Sequence, residues 1–253
     1  MFKNAIVKKP CAEFIKGITT ANLGVPLYSK AIEQHNNYIE ILGKCGLNVT
    51  ILEADSSYPD SVFVEDTALC TPNCVIITNP GAISRNGEII SMKNALEKFY
   101  ENIEAIISPG TLDAGDVMMV GNHFYIGISE RTNENGAGQL IKILRKFGMD
   151  GTKLFLKDVL HLKTGVSYLE NNNLLISGEF LENNLFDKFN KIVVNENESY
   201  AANSLWINGK VLVPKGFIET KAKIEENGYD VIEVDVSEFQ KLDGGLSCLS
   251  LRF

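Results

Sequence analysis

Residues 204–217 read "SLWINGKVLVPKGF", two short apolar runs joined by Asn208-Gly209. Asn and Gly tolerate the left-handed backbone that a two-residue hairpin turn demands, so the stretch predicts a tight β-hairpin. The same plan recurs in "DVMMVGNHFYIGIS" (116–129), which turns at Gly121-Asn122, and in "VSYLENNNLLISGEF" (166–180), which turns between Glu170 and Asn173. "SVFVEDTALCTPNCVIIT" (61–78) repeats it with a longer turn. Stretches of helical spacing that end in glycine accompany the hairpins: "AIEQHNNYIEILGKCG" (31–46), 135–148 and 220–228.

Pairing the N-terminal "NAIVKK" (4–9) with the C-terminal "GLSCLSLRF" (245–253) supplies a fifth unit and closes a ring. The units repeat at irregular intervals of roughly 40 to 55 residues, the range of propellers and repeat arrays. The long βαβ crossovers and Gly-rich phosphate loop of an open parallel sheet are not evident. No Pro-, Gly- or Ser-rich linker divides the chain, so one domain over 1–253 is expected.

The 253 residues are 45% hydrophobic and 22% charged, an ordinary globular balance, with a net charge of −8. That excess of acid argues against nucleic acid or an anionic membrane surface as partner. No apolar run reaches the about 18 residues of a membrane span, and "MFKNAIVKKP" has no signal-like apolar core, so a cytoplasmic location is expected. Cys70 and Cys74 form C-x3-C without a second Cys or His pair nearby to complete a zinc site, and no metal or cofactor is expected. Cys11, Cys45, Cys70 and Cys74 read as small buried hydrophobes.

Three histidines can be weighed singly. His35 falls on helical spacing as a packing or helix-surface residue, and His123 follows a hairpin turn as a structural one. His161 stands at the end of the apolar run "VLHL" (159–162), where a strand or loop meets the next hairpin, and imidazole is the side chain best suited to move protons near neutral pH. Cys248 lies shortly after Gly244-Gly245 in what reads as the last strand. A nucleophilic thiol needs a proton carrier and a setting that favours thiolate. His161 fits the first need, and a cationic substrate the second.

Acidic residues gather where hairpin ends should meet: Asp60, Glu65 and Asp66 in "YPDSVFVEDTALC" (58–70), Asp113 and Asp116 in "GTLDAGDV" (110–117). Glu65 and Asp66 interrupt an apolar run. Neighbours on a strand face opposite ways, so Asp66 is the one expected in a pocket, with Glu65 acting through its backbone. Such a carboxylate group suits a planar guanidinium. Arg85 in "PGAISRNGE" (80–88) and Arg131 in "RTNENG" (131–136) sit in polar turns, and together they suit an α-carboxylate at the ligand's other end.

These six segments, counting "LHLKTGVSYL" (160–169) and "LDGGLSCLSLRF" (242–253), resemble in order and over essentially the whole chain the motifs of the dimethylarginine dimethylaminohydrolase family, its bacterial form most closely. The family belongs to the guanidine-modifying (pentein) superfamily. The resemblance implies an α/β fold, a five-bladed α/β propeller of ββαβ units, and hydrolysis of N-methylated arginine to citrulline through a covalent cysteine intermediate. It places the nucleophile on Cys248, the general acid/base on His161 and the carboxylate that orients it on Asp113, where some bacterial relatives carry Glu. It places guanidinium contacts on Asp60, Glu65 and Asp66, and amino-acid-end contacts on Arg85, Arg131 and the backbone of Ile18. Leu242 lines the site, and Asp116 is structural. "GITTANLG" (17–24) resembles the family's active-site lid, and a homodimer is implied only by the resemblance. Two other readings compete: an arginine deiminase-like hydrolase of free arginine or another guanidino compound, and a non-catalytic propeller that binds without turning over.

Overall fold

A computed structural model describes residues 1–253. The hairpin at Asn208-Gly209 is present: β12 (Leu205–Ile207) runs antiparallel to β13 (Lys210–Pro214), and the two turn residues have φ of +50° and +91°. Four further sheets repeat its plan. Each sheet has three strands, the first pair antiparallel and the second parallel. β3 (Ala68–Cys70), β4 (Val75–Ile77) and β5 (Ile103–Ala105) form one. β6 (Val117–Val120), β7 (His123–Ile128) and β8 (Asp150–Phe155) form the next, and β9 (Val166–Tyr168), β10 (Asn173–Ile176) and β11 (Asn190–Val193) another. β14 (Asp230–Val234) completes the sheet of β12 and β13.

The remaining sheet joins the chain ends. β15 (Leu251–Arg252) pairs antiparallel with β1 (Asn4–Lys8), Ala5 opposite Arg252, and β1 pairs parallel with β2 (Asn48–Leu52). A parallel neighbour requires a crossover, and helices supply it. α1 (Tyr28–Lys44) links β1 to β2, α2 (Glu88–Leu96) links β4 to β5, and α3 (Glu134–Lys146) links β7 to β8. α4 (Leu162–Gly165) is a single turn ahead of β9, and α5 (Ile218–Glu226) links β13 to β14. The helix expected in every unit is absent from one: between β10 and β11 the chain makes only two 3-10 turns, after Gly178 at φ +56°.

The first strands of the five sheets, β3, β6, β9, β12 and β15, all line one central cavity of about 150 Å³. A radial arrangement is the way five separate sheets can share a single cavity, and the fold is the five-bladed α/β propeller. His35 is buried within α1, where burial holds its imidazole down to about 4 and so neutral. His123 bonds Thr152 on the neighbouring strand at 2.9 Å. Cys11, Cys45 and Cys74 are buried as expected, whereas Cys70 on the inner strand β3 is only partly so. No helix is long and apolar enough to cross a membrane.

Candidate active site

A helical turn precedes every inner strand: Val64–Thr67, Ala114–Asp116, α4, Glu196–Ala202 and Ser247–Leu249. The turn brings the chain from the outside of the ring to its axis, and the residues on or beside it therefore converge at one end. This corrects two expectations. Glu65 and Asp66 are not on a strand, because β3 begins only at Ala68, and Cys248 sits on the turn before β15 rather than in it.

A helical turn sends consecutive side chains different ways around the backbone. Asp66 faces a cavity of about 50 Å³ that is also lined by Ile18, Asp60, Arg85, Asp113, Arg131, His161, Leu242 and Cys248. Phe63, Leu160 and Asp243, which sequence reasoning missed, share its wall. Glu65 points instead to the axis. Its Oε1 lies 2.7 Å from Lys163 Nζ and 3.1 Å from Arg252 Nη2, and its Oε2 accepts from Ser247 Oγ at 2.6 Å. Glu65 is thus the buried anchor of a polar plug between the central cavity and the site, not a lining group of the Asp66 cavity.

His161 and Asp113 meet directly, with Nε2 3.2 Å from Oδ2. The other Asp113 oxygen accepts from Gly81 N at 2.8 Å, so the shorter Asp reaches the ring and is itself held. Asp116 holds the histidine from behind: Oδ1 accepts from the Leu162 N–H at 3.0 Å and Oδ2 from Ser129 Oγ at 2.6 Å. Asp66 accepts from Gly115 N at 3.0 Å. A Cβ at Gly115 would stand 2.8 Å from both Asp66 Oδ1 and His161 Nδ1, so only glycine lets carboxylate and imidazole come so close. Gly244 answers the same need, since its Cβ would fall 2.2 Å from the Phe63 ring.

The electrostatics follow from this packing. Burial works to discharge His161, but Asp66, Asp116 and Asp113 together outweigh it and lift the imidazole to about 9. Burial disfavours the Asp113 carboxylate as well, yet His161, Arg85 and the Gly81 N–H overcome that and hold it below its usual range. Burial pushes the Cys248 thiol up to about 12, Glu65 and Asp66 adding to the effect, while the Gly245 N–H donated to Sγ at 3.3 Å and Lys163 oppose it. Both shifts favour the proton, a thiol at Cys248 beside an imidazolium at His161.

The two arginines differ. Arg131 lines the cavity with a guanidinium that makes no ion pair. Arg85 is buried, contrary to its polar-turn sequence, with Nη1 2.6 Å from Asp66, Nη2 2.8 Å from Glu88, and Nη2 donating to Phe63 O at 2.9 Å. Of its five N–H groups, one on Nη1 is left for a ligand. Glu88, also missed, was readable as an acid three residues after Arg85. Burial raises the Glu88 carboxyl to about 7 against the pull of Arg85.

Ile18 and Thr20 of the segment 17–24 stand on the wall of the cavity. Ile18 N donates to Asp60 Oδ1 at 2.9 Å, Thr20 N and Oγ1 donate to Asp243 Oδ2 at 2.6 and 3.1 Å, and Thr19 Oγ1 donates to Lys241 O at 2.9 Å. Burial raises the Asp60 carboxyl, with Arg85, Ile18 N and Arg131 opposing.

Residues 24–168 match the family model for N,N dimethylarginine dimethylhydrolase, eukaryotic. The chain is 53% identical to N(G),N(G)-dimethylarginine dimethylaminohydrolase of Pseudomonas aeruginosa, over 100% of both chains. It is 31% identical to the protein of the same name from Streptomyces coelicolor, over 99% of this chain and 96% of that one. A crystal structure of the Pseudomonas aeruginosa enzyme, a cysteine-to-serine mutant complexed with citrulline, superposes with a TM-score of 0.99 at 52% identity, over 100% of both chains.

Proposed function

The chain belongs to the dimethylarginine dimethylaminohydrolase family, and we propose that it hydrolyses N-methylated arginines to citrulline and the corresponding methylamine. The observation that carries the mechanism is that Cys248 and His161 wall one cavity with Asp66 and Asp113, beside an unpaired Arg131. The α-carboxylate goes to Arg131, helped by the spare Arg85 N–H. The α-ammonium goes to the carbonyl of Ile18 and to Asp60, which is moved from the guanidinium end expected of it because its Oδ1 already holds Ile18 N. The guanidinium lies against Asp66.

A cation brought against Cys248 opposes the burial and the carboxylates that keep its proton on, so binding drives that proton to solvent and leaves the thiolate. The thiolate forms a C–S bond to the guanidinium carbon. The C–N bond breaks with its electron pair, and the imidazolium of His161 gives its proton to the leaving amine. An S-alkylthiouronium remains. Neutral His161 then takes one proton from water, a C–O bond forms, and the C–S bond breaks as the hydroxyl proton passes to sulfur, giving citrulline and the resting thiol. Asp113 keeps the imidazole turned toward the sulfur throughout.

Incubation with asymmetric dimethylarginine and identification of both products tests the reading. Citrulline and dimethylamine in equal amounts are expected, lost in Cys248→Ser. Ammonia from unmethylated arginine as the faster product would overturn it.

A further inference from the structure

Behind the Cys248–His161 pair lies a second cavity, of about 30 Å³. It shares only Cys248, His161 and Asp243 with the substrate cavity, so the reacting pair forms a partition between two chambers. Its inner wall is polar but occupied. Asn203 Nδ2 donates to Lys163 O at 2.9 Å and Ser247 Oγ at 3.0 Å, and its Oδ1 accepts from Ser247 N at 3.0 Å. Tyr200 Oη donates to Gly244 O at 2.7 Å, and Glu65 is neutralised by Lys163 and Arg252. Its outer edge is Thr164, which is exposed.

Resting on the activity above, we propose that this rear chamber receives the departing alkylamine and admits the hydrolytic water. After the C–N bond breaks, the thiouronium with its amino-acid chain still fills the front cavity, and the segment 17–24 beside it is tied to Lys241 and Asp243 by Thr19 and Thr20. The amine cannot leave past the intermediate. His161 protonates the amine and later deprotonates the water, so the two take the same position in turn, on the side His161 faces. The rear chamber adjoins that position and opens at Thr164. It has room for roughly two waters, so a three-heavy-atom amine must move on toward the open edge. Of its two carboxylates, Glu65 is paired with Lys163 and Arg252 and does not trap the amine as a cation, while Asp243 at the partition accepts from Thr20 N and Oγ1.

Blocking the outer edge tests this. Thr164→Phe is expected to lower kcat on asymmetric dimethylarginine about tenfold, because release and water entry become limiting. The covalent intermediate should then accumulate in the steady state, visible as added mass on the intact protein. Thr164→Ser should behave as the unmodified chain. Thr164→Cys, folded first and then capped with a bulky methanethiosulfonate while citrulline protects Cys248, should lose turnover on capping and regain it with reductant. Wild-type citrulline and dimethylamine production with unchanged kcat and no accumulating intermediate in Thr164→Phe and capped Thr164→Cys would overturn the chamber alone. A wild-type chain releasing no methylamine would overturn the activity on which it rests.

Discussion

His161 Nε2 stands 3.2 Å from Asp113 Oδ2, and that bond adds a carboxylate two blades from Cys248 to the charges that hold the proton of the general acid. His161 is lifted to about 9 although burial opposes it, because Asp66, Asp116 and Asp113 surround it. The first step consumes the imidazolium, so kcat/KM should fall as pH rises through about 9. Asp113→Asn removes one of the three charges and should move that limb to lower pH, with kcat down about a hundredfold and KM nearly unchanged. A pH series on both proteins decides it, and an unmoved limb would separate Asp113 from proton transfer.

The same pair affects stability. The folded pKa of His161 lies above its unfolded value of about 6.5. Its contribution is therefore complete below about pH 6.5 and is lost as pH rises through about 9. Urea unfolding of the wild type should show a decline over this window that Asp113→Asn reduces.

Burial, the largest cause, pushes the Cys248 thiol up to about 12, and no side-chain cation but Lys163 opposes it. A neutral alkylator such as iodoacetamide should label it slowly at neutral pH. A haloacetamidine carries its own planar cation to Asp66 and should label it at least about tenfold faster, with citrulline protecting. Equal rates for the two reagents would refute activation of the thiol by a bound cation.

Glu88 lies 2.8 Å from Arg85 and shares that cation with Asp66. In Glu88→Gln the whole charge of Arg85 falls on Asp66, whose hold on a substrate guanidinium weakens. KM should rise several-fold with a smaller change in kcat. Wild-type KM should rise in the same way as pH falls through about 7, where Glu88 protonates, and the variant should lack that dependence. Steady-state kinetics between pH 6 and 8 measure this.

The plug at Glu65 sets an order of stabilities. Glu65→Gln leaves Lys163 and Arg252 facing each other without their shared anion and should cost about 3 kcal/mol. Lys163→Met leaves Glu65 paired with Arg252 and should cost less. Denaturant titration ranks the two, and the reverse order would mean that Glu65 does not anchor the plug.

Much of this was legible in the sequence because turn chemistry is local. Asn208-Gly209 announces its hairpin, and Gly46, Gly148 and Gly228, all at positive φ, end the helices they follow. Cys248, His161, Asp66 and Arg131 were found by residue type and by family resemblance, and all line the cavity. That Asp66 rather than Glu65 enters the pocket was legible, though argued from a strand that starts only at Ala68; the partners Glu65 finds instead, Lys163, Ser247 and Arg252, were not. "SVFVEDTALC" has the apolar content of a strand, but the chain must first turn inward to the axis, and that requirement comes from the other four blades. The burial of Arg85 was hidden for the same reason. Its turn is polar, and the carboxylate that fixes it there, Asp66, comes from a different segment. Asp243, which ties Thr20, lies 223 residues away in sequence, a contact no local pattern encodes.

The meeting of β15 with β1 has a kinetic consequence. Ala5 and Arg252 are paired across nearly the full length of the chain, and such distant contacts are expected to form late. The sulfur sits on the turn that leads into β15, so a molecule whose other four sectors are already folded still lacks a reactive centre. During refolding, recovery of turnover should trail the return of helical signal, which makes catalysis a report on the last seam to close.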